Sequence, residues 1–197
     1  MELDPKDVID RAVEAAERRA RRLNGVVAVT VALLATFTGI CKVKDDNIVQ
    51  AMQQAQADKV DHWNFYQARN LRQEVAEATV TQLELARTQA ARPADYDAPL
   101  ARYRELAADQ ARKKQEVKAQ AEDDQRRYDA LNYRDDQFDL SDAGVAIAIA
   151  MLAVTALTQL WALYWAALVP TVFGVVMGTA GLFGLGLHPD ALVRLLS

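Results

Sequence analysis

Two histidines and one cysteine are the residues of this chain whose types could carry chemistry, and their spacing assembles no reaction centre. His62 and His188 stand far apart in the sequence. There is no phosphate-cradling loop, no G-x-S-x-G elbow and no H-E-x-x-H zinc helix. The reading is therefore a protein that is not an enzyme, with no catalytic residue, no cofactor and no metal site. Cys41 is the single cysteine, which excludes an intramolecular disulfide framework. It is expected to pack rather than react, and His62 is expected to lie at a solvated helix surface. Proton relays and ion paths usually carry ionisable groups inside their spans. None occurs between Gly25 and Cys41 or within the apolar stretches after Asp142, which argues against a transporter or pump. A pore lined by Thr30, Thr36, Thr38, Thr155 or Thr158 is a lesser alternative.

The elements that hold these residues fall into two kinds. From Ala143 to Pro189 there are 47 residues without a Lys, Arg, Asp or Glu. A membrane-spanning helix needs about 20 mostly apolar residues, so this run suffices for two. Trp161, Tyr164 and Trp165 sit midway along it and prefer the headgroup level. They divide the run into spans at 142–163 and 164–188. The third span carries Gly174-Val-Val-Met-Gly178, extended by Gly181, a small-residue face that lets helices approach closely. These three glycines are assigned to helix packing and oligomerisation. A shorter uncharged run, Gly25 to Cys41, gives a first span at 25–42, an uncleaved anchor whose Lys42 and Lys44 can snorkel.

Residues 1–24 read as an amphipathic surface helix. Asp4-Pro5 opens it, acids crowd its first half, and Arg18, Arg19, Arg21 and Arg22 gather in its last turn, as the helix dipole favours. With Trp161, Tyr164 and Trp165 these arginines are assigned as membrane-interface anchors, and Asn24-Gly25 as a hinge. At the other end, residues 189–197 read as a short surface helix.

Between the first and second spans, residues 43–141 read as two long helices. No Gly or Pro occurs from Asp45 to Ala91, and strong helix formers dominate. The segment Pro93-Ala-Asp-Tyr-Asp-Ala-Pro99 marks a turn at 92–99. In the return helix a 3-4 seam runs Leu100, Tyr103, Ala107, Gln110, Lys114, Val117, Ala121, Asp124, Tyr128, Leu131, Asp135, Phe138. The outgoing helix fits an eleven-residue period instead, through Val49, Val60 and Leu71 with Met52, Trp63 and Leu85 beside them. Trp63 and Tyr66 share a face at i, i+3 and are assigned as packing anchors. The fold class is thus all-α: three transmembrane helices with a long antiparallel, coiled-coil-like hairpin stalk between the first two.

Charge sets orientation and limits partners. From Lys42 to Asp142 there are 16 basic and 20 acidic residues, a mixture unlike the basic stripe of a nucleic-acid binder. Four arginines precede the first span, and Asp135, Asp136, Asp139 and Asp142 precede the second. The positive-inside rule then puts the N-terminus in the cytoplasm and the stalk outside it, which in a two-membrane bacterium means the periplasm.

The Ala32–Ala35 core of the first span and the run Asp61-His-Trp63-Asn-Phe-Tyr66-Gln67-Ala68-Arg69 resemble a bacterial family known as domain of unknown function 4337. Its members carry a similar Asp-x-Trp-x-x-Tyr-Gln-Ala-Lys/Arg run near the start of their soluble helices. The resemblance implies this architecture over nearly the whole chain and a bacterial inner membrane, and no mechanism. The functional expectation is a multi-pass structural or scaffolding homo-oligomer in the lipid bilayer. The alternatives are an accessory subunit of another membrane protein complex, or the small pore.

Overall fold

The computed structural model describes residues 5–187, and every long element among them is helical. Helix α1 spans Pro5–Gln89, a 3-10 turn spans Pro93–Tyr96, α2 spans Asp97–Thr158 and α3 spans Trp161–Phe183. The three α-helices are each long and apolar enough to cross a membrane. The surface helix expected at 189–197 lies outside the described residues.

Two boundaries differ from expectation. Helix α1 runs through Asn24-Gly25 without a break. A glycine inside a helix costs only about 1 kcal/mol relative to alanine, and strong helix formers on both sides outweigh it. The break between α2 and α3 falls at Gln159-Leu160, before the aromatic cluster. Gln159 takes the left-handed conformation, φ 57°, and its N–H donates to Thr155 O at 2.9 Å, closing α2. Its side-chain amide donates to Asn24 Oδ1 at 3.0 Å on α1. Trp161, Tyr164 and Trp165 consequently form the first turn of α3.

The chain divides into two compact units, Met1–Val49 with Asn132–Ser197, and Gln50–Leu131. The core of the first unit joins Leu23, Val27 and Leu34 of α1, Val145, Ala148 and Leu152 of α2, and Tyr164 and Ala167 of α3. Its outer surface is also apolar: Val29, Leu33, Ile147, Leu157, Val169 and Val172 are all exposed.

In the second unit several polar contacts join α1 to α2. Lys59 Nζ donates to Gln125 Oε1 at 2.8 Å, Arg69 Nη1 to Gln110 Oε1 at 3.1 Å, and Lys114 Nζ to Asn70 Oδ1 at 3.0 Å. Nearer the turn, Arg104 pairs with Glu84, and Arg87 with Asp97 at 2.9 Å. All twelve seam positions read from the sequence of α2 are buried or half-buried.

Helix α1 corrects the expectation. Its covered positions are Ile48, Met52, Ala55, Lys59, His62, Tyr66, Arg69, Gln73, Ala76, Val80 and Leu83, all buried or half-buried and also at 3-4 spacing. Of the eleven-residue set, Val60 and Leu71, with Trp63 and Leu85, are exposed, whereas Val49 is half-buried and Met52 buried. Apolar periodicity located the outer face because the middle of the inner one is polar.

Candidate functional site

At the Val49 end of the first unit, α1 and α2 bring acids together. Asp45 is 5% exposed. Lys42 Nζ donates to its Oδ2 at 2.8 Å. Its Oδ1 is buried and receives no bond from an amide, hydroxyl or ammonium donor among the described residues. Asp135 of α2 lies close enough to Asp45 to interact with it. Two neighbouring carboxylates repel, which favours keeping a proton on one of them. Burial first, then the side chain of Asp45 and the charges of Asp139, Asp45 and Asp136, push the Asp135 carboxyl up to about 6. Asp139 is also raised, chiefly by burial and then by Asp45, Asp136 and Asp142. The arrangement can hold a proton between two helices. Among the described residues no group of three or more His, Cys, Asp or Glu side chains is arranged to hold a metal ion.

The glycines assigned from the sequence lie together on the face of α3 turned to α2 and α1. A Cβ on Gly174 would stand 2.9 Å from Val145 N and 3.0 Å from Ser141 O. One on Gly178 would meet Ser141 Oγ at 2.6 Å and Phe37 at 2.7 Å, and one on Gly181 would meet the Phe138 ring at 2.9 Å. Ser141 Oγ donates to Gly174 O at 2.8 Å. This face is occupied within the chain.

The C-terminal end of α3 is held from α2. Gly184 (φ 66°) ends the helix, and Leu185 N–H donates back to Ala180 O at 2.9 Å. Arg134 Nη2 donates to Gly181 O at 2.9 Å, and Gln137 Nε2 to Leu185 O at 2.7 Å and Leu187 O at 2.6 Å. A guanidinium there meets the negative end of the helix dipole.

The stalk aromatics Trp63 and Tyr66 meet edge to face at 5.3 Å between centroids. Beside them His62 departs from the solvated surface expected of it: its Nδ1 lies 2.6 Å from Asp124 Oδ2, both groups partly buried. At the start of α3, Tyr164 is buried with its hydroxyl 3.3 Å from Thr30 Oγ1, while Trp165 points outward, 62% exposed. Trp161 meets Tyr164 edge to face at 5.9 Å and, with Arg18, Arg19 and Arg22, lines a cavity of about 470 Å³. Arg21 and Arg22 head a second cavity along α1. Thr30, Thr36, Thr155 and Thr158 donate to carbonyls four residues back in their own helices. Cys41 is buried.

Sequence reasoning did not find Asp45, Ser141, Gln137 or the His62–Asp124 pair. The aspartates before the second span stood out as a charge run, but nothing local marks Asp45 as their partner. The family model described as Domain of unknown function (DUF4337) matches residues 23–184. No curated protein and no solved structure matches the chain.

Proposed function

The chain belongs to the DUF4337 family, and we propose that it is a non-enzymatic membrane scaffold that self-assembles through its long extramembrane helices. In this reading the first unit crosses the bacterial inner membrane three times, near 25–42, 142–158 and 161–183. The N-terminus is cytoplasmic, and the antiparallel hairpin within residues 43–141 lies in the periplasm. An apolar core under an equally apolar exterior supports a lipid surround, because a soluble protein rarely leaves so much contiguous apolar surface bare.

The observation that carries the assembly is the outer face of α1. At about 100° per residue, Val60, Trp63, Leu71, Val75 and Leu85 fall within roughly a third of the helix circumference. They are 48%, 36%, 61%, 57% and 62% exposed. The chain's own α2 covers the other seam, whose middle, from Lys59 to Gln73, is largely polar. A second copy of α1 is the occupant this stripe fits. Its eleven-residue spacing suits nearly straight lateral packing, and its near-balanced charge offers no attraction for a strongly charged partner. The glycine face of α3 is already filled, so assembly is assigned to the stripe and not to those glycines.

Mass determination of the protein extracted in mild detergent tests this. A single homo-oligomer is expected, reduced to monomer by Val60→Gln with Leu71→Gln. A wild-type monomer that copurifies in fixed ratio with another protein would instead make it an accessory subunit.

A further inference from the structure

On the premise that the first unit spans a membrane, we propose that Arg18, Arg19 and Arg22 with Trp161 form a binding site for the phosphate of an acidic glycerophospholipid. An acyl chain of that lipid lies along the groove continuing from Arg22 toward the middle of the first span.

Three features converge. The cavity of about 470 Å³ is walled by three arginines of α1, Ala15 and Trp161 of α3, so a planar aromatic faces a group of guanidinium forks. Arginine matches phosphate oxygens in paired hydrogen bonds, and Trp rings settle at headgroup level. Arg18 is engaged by Glu14 at 3.1 Å. Arg19 and Arg22 form no ion pair among the described residues. Trp161 also opens α3, whose first turn has no side-chain cap, so the positive end of that helix adds to the field on an anion.

The second cavity, about 340 Å³, shares Arg22 and continues through Gly25, Val26, Val29 and Thr30. Gly25 leaves open space beside the backbone, since an added Cβ there would meet nothing within 4 Å. A charged mouth beside an apolar groove, with Arg22 lining both, has the two-part chemistry of a phospholipid. A soluble phosphate compound would use only the mouth.

The full chain, purified in neutral detergent, is offered phosphatidylglycerol and phosphatidylcholine in equal amounts, and retained lipid is counted by native mass spectrometry. Phosphatidylglycerol is expected to be preferred by about tenfold, from two charge-assisted contacts. Arg19→Gln with Arg22→Gln should bring the two lipids near parity, while Arg11→Gln with Lys44→Gln, an equal loss of charge elsewhere on α1, should keep the preference. Equal retention by the wild type, or an unaltered preference in the Arg19/Arg22 variant, overturns the site. Displacement of the lipid by an equal concentration of inorganic phosphate reassigns it to a free anion and overturns the lipid. Alkaline carbonate washing of membranes tests the premise separately: release of the wild-type chain would refute the membrane reading, whereas retention without headgroup preference refutes the site alone.

Discussion

The carboxyl of Asp135 on α2 is set near that of Asp45 on α1, whose Oδ2 accepts a hydrogen bond from Lys42 Nζ at 2.8 Å. The folded chain thereby keeps a proton on Asp135 up to about 6, whereas an unfolded aspartate loses it near 3.9. Between those values the folded state binds more protons than the unfolded one, so stability falls as pH rises from about 4 to about 6. With partial solvent access, the change is expected to be on the order of 1–2 kcal/mol. Thermal unfolding in detergent across pH 4–8 reads it. Asp135→Asn should raise the midpoint at pH 7.5 and flatten the profile, and an unchanged slope would show that the pair is not protonically linked.

Gly174 should be intolerant of even a methyl group. A Cβ there approaches backbone atoms of Ser141 and Val145, which cannot swing aside. Gly174→Ala is expected to cost about 1–3 kcal/mol, seen as a lower unfolding midpoint in the purified protein. Gly25→Ala meets nothing and should be neutral or slightly stabilising. Equal midpoints for the two variants would contradict the close approach of α3 to α2.

The His62–Asp124 contact at 2.6 Å should show as coupling. Removing one partner leaves a partly buried polar group unsatisfied, at about 1–3 kcal/mol. The double variant His62→Ala/Asp124→Ala should cost less than the sum of the single changes. Additive losses in that cycle would mean the two side chains do not interact.

Gln137 is fully buried and donates to two carbonyls beyond the end of α3. Gln137→Leu keeps the volume and removes both donors. An expected loss of about 2 kcal/mol should come with faster protease cleavage around residues 184–187. Wild-type cleavage kinetics would count against this cap.

Much of the fold was legible because helix propensity and apolar run length are local properties. The seam of α2 could be read position by position, since apolar residues recur at 3-4 spacing from Leu100 to Phe138. The seam of α1 could not, because Lys59, His62 and Arg69 look like surface residues until Gln125, Asp124 and Gln110 are placed opposite them. Likewise Gln159 carries no sign that it will adopt a left-handed turn, a conformation usually left to glycine. The site residues were the least visible. Asp45 and Asp135 belong to different helices, and only tertiary packing brings them together. The glycines of α3 could be recognised as a packing surface, but not what would fill it.

The bonds from Ser141 and Arg134 to α3 carbonyls, and from Gln137 to carbonyls just beyond α3, have a consequence for synthesis. All three donors lie on α2 and all their acceptors lie later in the chain. A ribosome that has just completed α2 therefore carries a helix whose polar groups still lack partners, and emergence of α3 supplies them. On the membrane reading proposed above, insertion of α2 is expected to finish as a helical pair, with α2 held back near the translocation machinery until its successor is made. Chains stalled just after Thr158 should crosslink to that machinery far longer than chains stalled beyond Gly184.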